Sequence, residues 1–185
     1  MIGLILSDQI DYELSKEPLI SASQIEGRVL ELGQEISSQF SVDLVLGVLT
    51  GSFIFVADLV RTMPNPVQIR FIKASSYGLS QHSSGIVKIN GLDEMDLKNK
   101  NVLVVDDILD SGRTLSCLLE QVRLAGANIV KSAVLLDKPS RREVPLEADF
   151  VGFSIENHFV VGYGLDYAEG YRSLRAIYKM SIPSP

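Results

Sequence analysis

Residues 102–114 read VLVVDDILDSGRT, in which an unbroken apolar run leads into three aspartates and then into small and hydroxyl residues. The β-branched apolar residues 102–105 are typical of a central parallel strand that is covered on both faces. From Leu115 to Val122 the leucines and the valine recur at helical spacing, so the turn lies at the amino end of a helix. The stretch therefore predicts a strand–turn–helix unit of an α/β fold.

The turn has the composition of an anion site. Asp106 and Asp107 follow the strand at the edge where open α/β sheets bind ligands, and carboxylates there can take sugar hydroxyls or a hard cation. Ser111, Gly112 and Thr114 add hydroxyls and a flexible backbone at a helix amino terminus, which favours a phosphate. Each residue alone could serve only capping and chain reversal, but three neighbouring aspartates repel one another unless a ligand compensates them. The stretch therefore predicts a sugar-phosphate site.

The rest of the chain alternates strand and helix patterns. Ser21 or Ser23 can cap a first helix, whose apolar stripe runs from Ile25 to Ile36. We expect further strands at 43–49, 67–74, 86–89, 128–136 and 148–155, a helix at 53–63, a mobile loop at 78–85 and a polar connection at 91–101. Strands that alternate with crossover helices predict a mostly parallel sheet.

Length and charge narrow the class of protein. A chain of 185 residues with 46% hydrophobic content predicts a single domain over residues 1–185. Its apolar runs are too short to span a membrane and its first residues do not resemble a signal peptide, so we expect a cytosolic protein. The net charge of −6 argues against nucleic-acid binding by bulk electrostatics. The single cysteine, Cys117, excludes an internal disulfide framework.

Residues 102–114 resemble the phosphoribosyl pyrophosphate motif of the type I phosphoribosyltransferases. A second segment, FVVGYGLDY at 159–167, narrows the resemblance to the hypoxanthine-guanine phosphoribosyltransferases. The similarity continues through LTGS at 49–52, SSYG at 75–78 and LLDKP at 135–139. It implies the type I phosphoribosyltransferase fold: a central, mostly parallel sheet flanked by helices, with a core at about 43–140 and a small hood from the N-terminal segment and about 141–185.

The resemblance also implies an activity. Such enzymes serve purine salvage: they transfer the phosphoribosyl group of 5-phosphoribosyl 1-pyrophosphate to hypoxanthine or guanine, which gives IMP or GMP and pyrophosphate. They require Mg²⁺ and form homodimers or homotetramers, and the resemblance implies no nucleic-acid or membrane partner. Two alternatives remain open: a relative that prefers xanthine, and a nucleotide-sensing regulatory protein of the same fold.

Each matching residue inherits an expected role from the resemblance. Asp110 is the expected catalytic carboxylate, near the purine N7. The expected phosphoribosyl and 5′-phosphate contacts are Asp106, Asp107, Ile108, Leu109, Asp110, Ser111, Gly112, Arg113 and Thr114. Pyrophosphate is expected at Thr50, Gly51 and Arg172, and the closing loop at Ser76 and Tyr77. The expected purine contacts are Lys138, Phe159, Val160 and Asp166, and the expected metal ligands are Asp106, Asp107 and Asp166.

Four positions depart from the family pattern. Thr50 stands where many relatives have a lysine, so we expect pyrophosphate to be held there by backbone amides, with charge supplied by Arg172 and magnesium. Asp106 replaces a common glutamate, Arg113 a common lysine and Ala168 a common asparagine. These replacements keep the chemistry of the site while altering affinity or loop ordering.

Overall fold

Residues 13–76 and 87–181 are described by a computed structural model. The strands are β1 (Glu13–Leu14), β2 (Leu44–Leu49), β3 (Gln68–Ser76), β4 (Val87–Asn90), β5 (Asn101–Leu109), β6 (Ile129–Asp137), β7 (Phe150–Ser154), β8 (Val160–Val161) and β9 (Tyr178–Ser181). The helices are α1 (Ala22–Gln39), α2 (Phe53–Thr62) and α3 (Arg113–Leu124), with a short 3-10 turn at Pro139–Arg141.

Six strands form the main sheet, in the order β4-β3-β2-β5-β6-β7. Five neighbouring strands of this sheet, β3, β2, β5, β6 and β7, run parallel to one another. Strand β4 pairs with β3 at the edge of the sheet and runs antiparallel to it. The mostly parallel α/β sheet expected from the alternation of strands and helices is confirmed. Its central strand, β5, is the one that leads into the predicted phosphate turn.

Apolar side chains of the parallel strands point alternately into two cores. Val45, Leu103 and Val105 pack on the face that α1 and α2 cover, whereas Val102 and Val104 pack on the face that α3 covers. This is why these strands lack the polar alternation of a half-exposed sheet. The double covering leaves the ends of the strands as the accessible part of the sheet.

The first helix begins with a complete capping box. Of the two predicted caps, Ser21 is the N-cap: its side chain accepts from the Gln24 amide, and the Gln24 side chain accepts from the Ser21 amide. The stripe from Ile25 to Ile36 is buried, as expected. This helix therefore starts where the sequence predicts.

Two segments differ from the sequence expectation. Strand β5 does not end at residue 105 but continues to Leu109, because its pairing with β6 extends from Asn101↔Ile129 to Leu109↔Asp137. The expected polar connection at 91–101 carries Leu92 and Leu97 into the core, and its last residue already belongs to β5. Polar composition concealed both features because the buried residues there are isolated in sequence.

A second, three-stranded sheet has the order β1-β9-β8. A bridge between Ile20 and Ile177 joins it to the start of α1, so the N-terminal segment is tied to the last third of the chain. The predicted loop at 78–85, together with Tyr77, lies outside the described residues. Among the helices of 13–76 and 87–181, none has both the length and the apolar character to cross a bilayer.

Candidate active site

The turn between β5 and α3 is shaped by a glycine. Gly112 has φ = +83° and forms the N-cap of α3. In the first turn the Arg113 amide donates to Ser111 Oγ at 3.4 Å, and the next amides of that turn are available for an anion. A Cβ built there would lie 2.9 Å from Val144 Cγ2. Both the left-handed backbone and the close packing therefore require glycine.

The two aspartates at the end of β5 form a buried acidic pair. Asp106 is only 9% exposed, and burial, followed by the charge of Asp107, raises its pKa well above the usual range. Burial also raises the pKa of Asp107, although hydrogen bonds and the positive charge of Arg172 oppose this rise. Two buried carboxylates with so little compensation suit a bound cation or sugar hydroxyls.

The turn after β2 lies directly against this pair. A Cβ on Gly51 would come within 1.6 Å of Asp107 Oδ2, so glycine at this position lets the Asp107 carboxylate lie directly against the turn. The Ser52 hydroxyl donates to the Val48 carbonyl at 2.6 Å, and the Leu49–Thr50 peptide is cis. Thr50 and Gly51 are thus brought to the acidic pair, as the pyrophosphate assignment requires.

A loop from the last third of the chain closes on the same point. A Cβ on Gly164 would lie 2.0 Å from the Gly51 carbonyl oxygen, and Arg172 Nη1 donates to the Gly164 carbonyl at 2.8 Å. Arg172 Nη2 also pairs with Asp166 Oδ1 at 2.9 Å. Arg172 therefore stands beside the turn after β2 with its charge directed at the acidic pair.

Lys138 lies at the end of β6, next to the turn. The residue is only 6% exposed, and burial lowers its pKa while the charge of Asp110 opposes that change. Its backbone N–H donates to the Leu109 carbonyl at 3.0 Å. The predicted purine-selecting ammonium and the predicted catalytic carboxylate are therefore neighbours.

Phe159 and Val160 differ in accessibility. Val160 is buried in β8, whereas Phe159 is 46% exposed. The Phe159 ring meets the Tyr167 ring edge-on, with centroids 5.8 Å apart and an interplanar angle of 87°. An aromatic face held in this way is suited to stacking on a planar base.

The three predicted metal ligands do not form one cluster. Within 13–76 and 87–181, no three His, Cys, Asp or Glu side chains are grouped closely enough to hold a metal ion by themselves. Asp166 already accepts from the Glu169 amide at 3.1 Å and pairs with Arg172. The donors do fit Mg²⁺, which usually takes one or two carboxylates and completes its shell with substrate phosphate and water.

A segment that the sequence analysis did not single out contacts the turn between β5 and α3. We call residues 139–144 the strap. Arg141 Nε pairs with Asp110 Oδ1 at 3.2 Å, Arg113 Nε pairs with Glu143 Oε2 at 2.5 Å, and the Glu143 amide donates to the Ser111 carbonyl at 3.0 Å. The available signal was the run of three charged residues, 141–143, soon after Pro139.

Comparison with known proteins agrees with this geometry. The model of the phosphoribosyl transferase domain family matches residues 21–168. A hypoxanthine phosphoribosyltransferase of Escherichia coli is 46% identical over 171 residues, which are 90% of this chain and 96% of that protein. A hypoxanthine-guanine phosphoribosyltransferase of Bacillus subtilis is 46% identical over 84% of this chain and 88% of its own length. A crystal structure of a hypoxanthine-guanine phosphoribosyltransferase from Bacillus anthracis superposes with a TM-score of 0.84 at 44% identity, covering 90% of this chain and 99% of that one.

Proposed function

This chain belongs to the phosphoribosyl transferase family, and we propose that it transfers the phosphoribosyl group of 5-phosphoribosyl 1-pyrophosphate to hypoxanthine or guanine. The products are IMP or GMP and pyrophosphate, so the activity serves purine salvage. The observation that carries this proposal is the contact between the two halves of the site. The Lys138 amide donates to the Leu109 carbonyl at 3.0 Å, which joins a buried ammonium to the turn that carries Asp110.

The turn from β5 to α3 binds the phosphoribosyl group. Its backbone amides and the hydroxyls of Ser111 and Thr114 take the 5′-phosphate, because the amino end of a helix favours an anion. Asp106 and Asp107 take the ribose hydroxyls. Ile108 and Leu109, the last two residues of β5, contribute only backbone groups to the phosphoribosyl site, because their side chains are apolar.

Pyrophosphate binds on the opposite side of the acidic pair. Thr50 and Gly51 offer backbone amides, and Arg172 offers a guanidinium that already spans Gly164 and Asp166. A guanidinium can donate two parallel hydrogen bonds to the oxygens of a phosphate, so it can stabilise the negative charge that develops on the leaving pyrophosphate. This arrangement supplies charge where Thr50 lacks that of a lysine.

The base is selected by hydrogen bonds and stacking. Lys138 donates to the O6 atom of a 6-oxopurine, and the 6-amino group of adenine cannot accept that bond. A buried polar group left unpaired discriminates strongly between substrates. Phe159 stacks on the purine, while backbone groups of Val160 and near Asp166 meet its Watson–Crick edge.

Magnesium is proposed as the cofactor, and Asp106, Asp107 and Asp166 are the residues that would hold it. When bound, it neutralises charge on the phosphate oxygens and on the acidic pair. The chain's own groups do the rest: Arg172 receives pyrophosphate, and the turn fixes the 5′-phosphate. Although Asp166 already accepts hydrogen bonds, each of its carboxylate oxygens has a second lone pair with which it could bind magnesium.

The transfer exchanges one bond for another at the anomeric carbon of the ribose. The bond to the pyrophosphate oxygen breaks with its electron pair, and the bond to purine N9 forms. The purine loses one proton, which the Asp110 carboxylate takes at N7. Closure of the loop that begins at Ser76 and Tyr77 excludes water, so that the ribose reacts with the base and not with solvent.

Three further assignments belong to the same proposal. The chain acts as one domain in which the sheet of β1, β9 and β8 belongs to the hood. It assembles as a homodimer or homotetramer, and it works in the cytosol without nucleic-acid or membrane partners. The single domain and the cytosolic location are expected from length and composition, the absence of a nucleic-acid partner from the net charge, and the oligomeric state from the family resemblance.

A turnover panel tests the proposed function. The purified protein is given 5-phosphoribosyl 1-pyrophosphate, Mg²⁺ and, one at a time, hypoxanthine, guanine, xanthine or adenine, and the nucleotide product is quantified. We expect turnover with hypoxanthine and guanine and little with adenine. Robust adenine turnover would overturn the role of Lys138, and a preference for xanthine would favour the alternative base.

A further inference from the structure

Arg142 makes an unusual set of contacts underneath the proposed catalytic turn. Its Nη1 donates to the Leu109 carbonyl at 3.0 Å and also to the Asp110 carbonyl. Its Nη2 pairs with the Asp137 carboxylate at the end of β6. The Arg142 and Asp137 side chains are only 15% and 14% exposed, so this is a desolvated clamp and not a surface ion pair.

The acceptors of this clamp belong to both halves of the site. The Leu109 carbonyl receives the Lys138 amide as well as Arg142. The Asp110 carbonyl belongs to the same residue whose carboxylate meets the purine. The Arg142 guanidinium thus binds both the Leu109 carbonyl, which lies next to the Lys138 backbone, and the carbonyl of Asp110, the proposed proton acceptor.

The stem of the side chain adds a packing constraint. A Cβ built on Gly112 would lie 3.1 Å from Arg142 Cδ, so the arginine stem lies against the left-handed residue that begins α3. Arg142 therefore touches the turn at three residues, Leu109, Asp110 and Gly112. A side chain with so many contacts restricts where the turn can move.

We propose that Arg142 is a positioning residue for the transfer: it holds the Asp110 carboxylate and the Lys138 ammonium at the separation that the reacting purine requires. The inference rests on the proposed function, because it assigns Arg142 a task in that reaction. Arg142 touches neither substrate; it acts through the backbone carbonyls of Leu109 and Asp110. A displacement of about 1 Å in a reacting group can cost roughly 100-fold in rate.

The chain supplies a matched control in Arg28 of α1. Arg28 also binds two backbone carbonyls, those of Gly152 at 3.1 Å and Val151 at 2.9 Å. It pairs with Glu31 and Glu35 and is 23% exposed. The two arginines are thus similar clamps on backbone carbonyls of the main sheet, but Arg28 binds within β7 and only Arg142 binds the turn that carries Asp110.

The experiment compares Arg142→Lys and Arg142→Met with Arg28→Lys and Arg28→Met. Lysine preserves a charge for Asp137, yet one ammonium lacks the planar fork that serves the carbonyls and the carboxylate together. We measure kcat, the KM of each substrate and the melting temperature of the full-length chain. Arg142→Lys should lower kcat roughly 10- to 100-fold, with a smaller change in either KM, and its melting temperature should stay near that of Arg28→Lys.

The outcomes separate positioning from simple stability. Because methionine leaves Asp137 unpaired, Arg142→Met should melt below Arg142→Lys while both have low kcat; if the methionine variant does not fold, the lysine variant decides. A kcat for Arg142→Lys equal to that of wild type, or lowered only as much as in Arg28→Lys, would overturn the inference. If the wild type and the Arg142 variants are all active, the positioning role is refuted and the proposed function stands. If the wild type is inactive, the proposed function is refuted and this inference falls with it.

Discussion

The phosphate half of the site and the purine half are built in opposite ways. The phosphate half, residues 106–114, is one continuous stretch in which burial raises the pKa of both carboxyl groups of the acidic pair. The purine half combines Lys138, from the end of β6, with Phe159 and Asp166 from the segment that includes β8. The phosphate half contains several carboxylates whose negative charge a ligand must compensate. The purine half contains a hydrogen-bond donor and an aromatic ring that a base must fit.

This difference separates chemistry from selectivity. Substitutions in the phosphate half should alter rate, phosphate affinity and stability, since they change charge near the bond that breaks. Substitutions in the purine half should alter which base reacts. Four variants test that division, in order of decreasing expected effect.

Asp110→Asn should have the largest effect. The amide keeps the shape of the side chain but cannot take the N7 proton, so kcat should fall about 10²- to 10⁴-fold, the usual contribution of a general base. Steady-state kinetics with hypoxanthine measure this fall. The exposed Glu120 of α3 supplies the control variant Glu120→Gln, which should keep wild-type kcat; an Asp110→Asn enzyme with wild-type kcat would remove Asp110 from the chemistry.

Lys138→Met should impair use of the base. Loss of a hydrogen bond to a charged group costs about 1.5 to 3 kcal/mol, which lowers kcat/KM for hypoxanthine and guanine roughly 10- to 100-fold. The kcat/KM for adenine should change much less, so the ratio of the two values is the readout. Lys98→Met, at an exposed position, is the control. Equal losses for hypoxanthine and adenine would break the division between the two halves.

Thr50→Lys should strengthen substrate binding modestly. A partly exposed ion pair contributes up to about 1 kcal/mol, or about fivefold tighter binding of 5-phosphoribosyl 1-pyrophosphate. Calorimetric titration measures this affinity. Thr50→Gln adds a long neutral side chain and serves as the matched control. Identical affinity in Thr50→Lys and wild type would mean that the missing charge is unimportant.

Asp106→Asn should stabilise the free protein by a few degrees. Burial raises the pKa of Asp106 in the folded chain above its unfolded value, so the folded chain holds that proton more tightly and the free energy of unfolding falls as pH rises through the folded pKa. Asparagine removes the repulsion with Asp107 while keeping the acceptor for the Asp107 amide. Thermal unfolding without substrate or metal should give a higher melting temperature than wild type at about pH 8, with a smaller gap near pH 5.

The control for this stability measurement is the exposed Asp93. Asp93→Asn should leave the melting temperature and its pH dependence unchanged, because no burial penalty is relieved there. If Asp106→Asn instead lowers the melting temperature across this range, the carboxylate stabilises the fold, and the acidic pair is not held ready for a cation.

The strand–turn–helix unit that carries the proposed phosphate half could be predicted from sequence because its residues are consecutive. One strand, one turn and one helix position residues 106–114, so local patterns were sufficient. The extension of β5 to Leu109 escaped prediction, since it depends on pairing with β6 up to Leu109↔Asp137. The polar composition of residues 106 and 107 does not reveal that pairing.

The purine half and the strap needed the structure. The approach of Gly51 to Asp107, and of Gly164 to Gly51, depends on packing between segments that lie 56 and 113 residues apart in the chain. The family resemblance supplied expected roles for Lys138 and Phe159 but none for Arg142. The clamp formed by Arg142 depends on the ends of β5 and β6 lying side by side, which sequence periodicity does not encode at the level of single side chains.

The central claim is that the two halves bind one molecule between them, a 6-oxopurine nucleotide. Calorimetric titration with IMP, AMP and ribose 5-phosphate tests it most directly, because the last ligand occupies only the phosphate half. We expect IMP to bind about tenfold or more tightly than ribose 5-phosphate, since it adds the Lys138 hydrogen bond, and AMP to bind no more tightly than ribose 5-phosphate. Equal affinity for AMP and IMP would contradict the account.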